Sequence, residues 1–265
     1  MIDTLRSVGL YSKGVVYLIV GGLTAAAALE MGGEQAGKSA TIDFLLNQPF
    51  GNALLWVLSA GIIAFVIWRL YAFFVDPKDK GSDAKGWTRR SYALISALIY
   101  GSFGFTAVKV ALGTGSSGGS GEKKEALAAT ILKAPGGPYL LGTVGLIVCG
   151  FALYQLARGY NLKFLNNLRL TDPAKRDLLE RSGRLGYFAR AVVFGVIGYF
   201  VIRAAFAQNP EVVMGTQGVF GFLHRQSYGG ILMAAVAAGL VFYGVYSVLK
   251  GAFSRVPHEK PDMPV

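Results

Sequence analysis

The chain has 265 residues, 53% of them hydrophobic and only 15% charged, with a mean hydropathy of +0.46. Soluble domains carry about 25% charged residues, so composition excludes an ordinary water-soluble domain. The formal charge of +11 does not point to nucleic acid, because the cations fall between apolar segments, and the single cysteine, Cys149, excludes an intrachain disulfide.

Six apolar segments follow in chain order, at 14–31, 52–75, 91–112, 138–157, 187–207 and 229–250. Each is about the twenty residues a helix needs to cross a bilayer. The runs are continuous, too long for barrel strands and without alternation, which predicts helices. The first segment has Arg6 and Lys13 before it and Ala26 to Ala28 near its end, the layout of a signal peptide. Its echo at 189–199 cannot be a signal, so 14–31 is read as a retained helix.

Between the segments, "GTGSSGGSG" (113–121) has the composition of a flexible tether. "TDPAKRDLLERSG" (171–183) has a capping residue, an early proline and spaced acid–base pairs, which predicts a short helix from Pro173 to Ser182. "KFLNNLRL" before it is amphipathic and reads as an interfacial connector or a docking surface for a cytoplasmic partner. Alternate loops carry seventeen Lys and Arg against five. The positive-inside rule then places both termini in the cytoplasm.

The segments repeat. A shift of 177 carries Lys13 onto Arg190, Tyr17 onto Phe194 and Gly21 onto Gly198; a shift of 83 carries Tyr17 onto Tyr100 and Gly21 onto Gly104. The even segments each start at a glycine (Gly51, Gly137, Gly229) and reach an aromatic seventeen residues later (Trp68, Tyr154, Tyr246). These aromatics fit a belt at the membrane interface. The chain therefore reads as three copies of a two-helix unit. Each copy crosses twice, so the repeats are parallel and related by an axis along the membrane normal, unlike inverted repeats. The expected fold is an all-α integral membrane protein with six transmembrane helices in a pseudo-threefold bundle. Repeat 1 spans 1–78, repeat 2 spans 79–160, a cytoplasmic connector spans 161–182, repeat 3 spans 183–253 and a cytoplasmic tail spans 254–265.

On "GLYSKGVVYLIVGG" (9–22), "GYFARAVVFGVIGY" (186–199) and the glycine-led even helices, the chain resembles the bacterial membrane proteins of domain of unknown function 1206. That family is built from three tandem two-helix units. The middle copy, "YALISALIYGSFGF" (92–105), departs at Ser96, where the other copies have a cation. The resemblance implies a fold and a location in the bacterial inner membrane, not a reaction.

Three residue sets stand out. Gly21, Gly104 and Gly198, with Gly14, Ala97 and Ala191 seven residues earlier, form a small-residue face on which helices pack; a thin-walled cavity is the alternative. Lys13 and Arg190 read as inner headgroup anchors. Lys109 and Arg203 share one repeat position, opposite Ala26, near the outer end. They read either as snorkelling side chains or as a partial basic ring for a small anion or lipid phosphate, with Glu30 as counter-ion.

No catalytic motif, metal set or phosphate loop is found, and His224 and His258 have no partners at ligand spacing. No catalytic residue, metal or cofactor is assigned. Of fifteen carboxylates only Glu30 approaches the membrane, which disfavours an ion-coupled transporter. The expected function is a non-enzymatic scaffold or interaction module with the bilayer and a protein partner. The alternatives are a passive channel or anion pathway along the axis, and lipid binding.

Overall fold

The computed structural model describes residues 2–29, 38–75, 84–115, 120–161 and 173–253. Among these residues there is no strand. Apolar backbone in a bilayer must satisfy its polar groups internally, and uninterrupted runs of this length do so only as helices. The order is α1 (Ile2–Ala28), α2 (Lys38–Leu46), α3 (Gly51–Phe74), α4 (Ala84–Ala111), α5 (Ser120–Lys133), α6 (Gly137–Asn161), α7 (Pro173–Ala207), a 3-10 turn (Pro210–Val212), α8 (Thr216–His224) and α9 (Gly229–Phe253). The six long helices are apolar and long enough to span a membrane. Each repeat is long–short–long, and the short helices α2, α5 and α8 go beyond the sequence reading.

The turn into each even helix is built three times alike. Phe50, Gly136 and Tyr228 hold left-handed φ angles of 59°, 73° and 84°. The next residue, Gly51, Gly137 or Gly229, donates its N–H to a carbonyl three residues back, at 2.9, 2.8 and 2.8 Å. A Cβ on these glycines would stand 2.4 Å from Leu45 O, 2.1 Å from Ile131 O and 1.9 Å from His224 O. The glycine that heads each even helix is therefore required by the carbonyls ending the short helix before it.

The long helices form a ring. Helices α1 and α9, α3 and α4, and α6 and α7 pack closely between repeats, while α1 and α3, and α7 and α9, pack within repeats. Contact between the first and last long helices closes the ring. Small residues set the approach. A Cβ at Gly14 would stand 2.6 Å from Val248 Cγ2 and 3.0 Å from Gly244 O; one at Gly198 would stand 2.5 Å from Cys149 Sγ and 3.2 Å from Gly145 O. A Cβ at Gly104 would meet Ile62 Cγ2 at 3.0 Å. Ala97 and Ala191 are buried.

Two expectations change. The helix expected over 173–182 is not separate: α7 runs unbroken from Pro173 to Ala207. Asp177–Arg181 (2.9 Å) and Glu180–Arg184 (3.6 Å) bridge successive turns, and Leu179 and Ser182 are buried, so nothing stops the helix before the apolar run. Its thirty-five residues extend about 52 Å, well beyond a hydrocarbon core. Likewise α1 and α4 begin at Ile2 and Ala84, ahead of their apolar stretches, because the cation-bearing flanks favour helix. The segment "KFLNNLRL", residues 116–119 of the glycine–serine tether and the tail beyond 253 lie outside the described residues, while 120–121 of the tether open α5.

Arg90 of α4 joins two repeats. Its guanidinium donates to Phe73 O from Nε (2.9 Å) and Nη2 (2.7 Å), and to Phe74 O from Nη2 (3.1 Å), capping the last carbonyls of α3. A cation at a helix C-terminus is favourable. Arg90→Ala is expected to lower stability in detergent by about 1–2 kcal/mol, with Arg90→Lys recovering only part, since the fork that reaches both carbonyls is lost. Thermal unfolding of the three proteins side by side checks this.

Candidate functional site

The repeat arithmetic applies to the even helices as well. A shift of 86 then 178 carries Phe65 onto Phe151 and Tyr243, and Arg69 onto Gln155 and Ser247. With Lys13, Ser96 and Arg190 on the odd helices, these positions are brought together inside the end of the bundle where the chain begins. Three cations, two rings, a phenol, an amide and two serines thus occupy one set of repeat positions.

Tyr243 holds the centre. Its hydroxyl accepts from Lys13 Nζ at 2.7 Å and also from Arg190 Nη1. With its oxygen turned toward the guanidinium, the Gln155 amide accepts from Arg190 Nη2 at 3.0 Å and Nε at 3.2 Å. Rings cover the remaining faces. Arg190 lies 4.5 Å from the Tyr243 centroid and 5.4 Å from both Tyr17 and Phe194. Lys13 Nζ lies 4.8 Å from Tyr243, 5.1 Å from Phe65 and 5.2 Å from Tyr100. Such cation–π contacts stabilise a desolvated cation by about 2 kcal/mol.

A second group of cations flanks this centre. Arg69 lies 4.8 Å over Phe65 and 5.5 Å over Tyr92. Arg158 lies 5.5 Å over Tyr92 and 5.2 Å over Tyr187, and Nη1 donates to Tyr154 Oη at 3.2 Å. Lys250 donates to Tyr246 Oη at 2.9 Å, and that hydroxyl shares a 3.3 Å hydrogen bond with Tyr187. Arg190, Arg69, Lys250 and Arg158 lie close enough to Lys13 for their positive charges to act on it. Among the described residues of the six spans, the only carboxylates are Asp177 and Glu180, already paired near the start of α7. Arg69 Nε is buried and has no hydrogen-bond partner among the described residues.

Lys13 and Arg190 are not headgroup anchors of the kind the sequence suggests. Both side chains are only 2% exposed and face inward, because the facing helices offer aromatic rings and a phenol at that level. Lys109 and Arg203 are exposed, Lys109 lying 5.6 Å over Phe105, and no hydrogen bond or ion pair joins them. Glu30, their suggested counter-ion, lies outside the described residues. Trp68 and Tyr246 are buried and serve as ring partners to cations.

The sequence reading missed Arg69, Arg158, Gln155 and Tyr243. A signal existed: Arg69 is the one cation well inside the second apolar segment, and the even-helix shift aligns it with Gln155. Among the described residues no cluster of three His, Cys, Asp or Glu side chains lies together. The layer can hold an anion or orient an acidic headgroup, and supplies no carboxylate for a cation.

The repeat pattern is matched by known sequences. Residues 8–74, 93–161 and 185–254 each match the family described as Domain of Unknown Function (DUF1206). The uncharacterized protein YxxB of Bacillus subtilis (strain 168) is 30% identical over 257 residues, covering 95% of this chain and 91% of that relative. No solved structure matches the chain.

Proposed function

The chain belongs to the DUF1206 family, and we propose that it is a non-enzymatic, anion-binding protein of the bacterial plasma membrane, its cationic end toward the cytoplasm. One observation carries this reading: Lys13, Arg69, Arg158, Arg190 and Lys250 gather inside one end of the helix bundle, and the only carboxylates among the described residues of the six spans, Asp177 and Glu180, are paired with Arg181 and Arg184. Lys13 and Arg190 share one phenol oxygen and so lie within about 5 Å, where like charges repel by about 3 kcal/mol at an effective dielectric of 20. An anion beside them turns that repulsion into attraction. Half-buried Arg69 and Arg158 extend the cationic field toward the bundle surface.

The scaffold reading presupposes helices without polar machinery, and the arginine–tyrosine layer supplies such machinery. Beyond the layer the core is apolar, with Val16, Val20, Ile62 and Leu240 buried, which favours binding over conduction.

The test is thermal unfolding of detergent-purified protein against sulfate at constant ionic strength. A saturating ligand stabilises by about 2.7 kcal/mol at a hundred times its Kd, a rise in Tm of about 5–11 °C for a chain of this size. Arg69→Gln/Arg158→Gln is expected to lose most of that rise. Lys109→Gln/Arg203→Gln is expected to keep it. A wild-type Tm that does not respond to sulfate, or an equal rise in both double variants, overturns the proposal.

A further inference from the structure

We propose that the ligand of the cationic layer is an anionic phospholipid that enters between α4 and α6, an inference resting on the anion-binding reading above. The three hairpins are not equally tight. In repeat 1 a Cβ at Gly9 would stand 2.5 Å from Phe65 Cα, and in repeat 3 one at Gly186 would stand 2.6 Å from Tyr243 Cα. A second pair works the same way: Gly61 faces Ser12, and Gly239 faces Ala189, with a Cβ at 1.7 and 2.5 Å from those side chains. These glycines let the two helices of a hairpin touch by backbone.

The middle repeat lacks both. Its residue in the register of Gly9 and Gly186 is Tyr92, and that in the register of Gly61 and Gly239 is Ile147. The Tyr92 ring stacks on Phe151 at 5.2 Å with 10° between planes, and leans on Tyr154 at 4.9 Å. Phe151 holds the register of Phe65 and Tyr243, so a ring stands where the other hairpins have direct backbone contact. Helices α4 and α6 accordingly lack the close backbone packing of the other two hairpins. Ile147 is 53% exposed.

The seam has two chemistries. Behind the Tyr92 ring stand the guanidinium groups of Arg69 and Arg158, both within 5.5 Å of its centroid. Along the two helices exposed apolar side chains include Leu98, Leu146 and Leu153. A small soluble anion has no use for the apolar flanks, whereas a phospholipid uses both: phosphate at the guanidinium groups, acyl chain along the helices. The cations also lie at the end of the bundle that the positive-inside pattern puts against an anionic leaflet, where each Lys or Arg favours acidic lipid.

The test uses the full-length protein in phosphatidylcholine vesicles doped with phosphatidylglycerol bearing a photoreactive group on its acyl chain. Labelling is expected to concentrate on residues 92–99 and 147–154, about thirtyfold above a matched phosphatidylcholine probe, as two cations near an acidic headgroup require. Tyr92→Gly/Ile147→Gly restores the glycines of the other repeats and is expected to bring labelling at the seam down to the phosphatidylcholine level. If that variant does not fold, Arg158→Gln decides: preference for phosphatidylglycerol should fall about fivefold while seam labelling by both probes remains. Equal labelling of the wild type by the two probes overturns the lipid assignment. If sulfate still stabilises the wild type in that case, the anion-binding reading stands without the lipid; if it does not, both fall.

Discussion

Gly21→Ala should destabilise the bundle, whereas Gly22→Ala, one residue on, should not. The two glycines differ only in the face of α1 they occupy. A Cβ at Gly21 would stand 2.7 Å from Val241 Cγ2, 2.8 Å from Ala237 O and 2.8 Å from Val241 N. Two of those atoms are backbone, so no rotamer change relieves the clash and α1 must move away from α9. Overpacking of this kind costs about 1–3 kcal/mol, and here it acts on the contact that closes the ring. A Cβ at Gly22 meets nothing within 4 Å. Alanine there gains helix propensity of up to about 1 kcal/mol, so the two variants should move stability in opposite directions. Denaturant titration in micelles measures both, and equal effects would mean that α1 and α9 do not pack as described.

Tyr243→Phe should be the most damaging removal of a single atom in the cationic layer. The hydroxyl is the acceptor for Lys13 and one of two acceptors for Arg190, and both cations are buried. Hydrogen bonds to charged groups contribute about 1.5–3 kcal/mol each, so the loss should be about 3 kcal/mol. Arg190 retains Gln155, whereas Lys13 is left facing rings and other cations. Adding Lys13→Met to the Tyr243→Phe background should therefore restore part of the stability, because an unpartnered buried charge costs more than an apolar side chain of similar size. Lys13→Met alone should be near neutral. A double-mutant cycle in thermal unfolding tests the coupling. Additive effects, or a loss under about 0.5 kcal/mol for Tyr243→Phe, would mean that the two cations reach water after all.

Much of the fold was legible in the sequence, because membrane helices announce themselves by length and apolarity and tandem repeats by arithmetic. The small-residue register was legible too, since Gly21, Gly104 and Gly198, and likewise Gly14, Ala97 and Ala191, recur at fixed shifts. The short helices α2, α5 and α8 were not, because α2 and α8 have only nine residues each and are held by burying Ile42, Leu45, Val219, Phe220 and Leu223 in the core. The candidate site was hidden for a different reason. A cation at the end of an apolar run has the same sequence signature whether it reaches for headgroups or turns inward. Lys13 and Arg190 turn inward because Tyr243, Gln155 and a set of rings from other helices stand at their level.

The sequence by itself determined six helices, three copies and the glycines at which helices meet. These follow from local rules: backbone satisfaction in an apolar medium, and the need for close approach where lipid gives little drive for association. Only the tertiary structure decided what the cations do and how the copies differ. Tyr92 and Ile147 are unremarkable residues in a line of text, and Arg69 is one cation in a hydrophobic run. Set in the ring, Tyr92 stands between α4 and α6 and Arg69 stands behind it, because the function of a side chain here depends on which helix faces it.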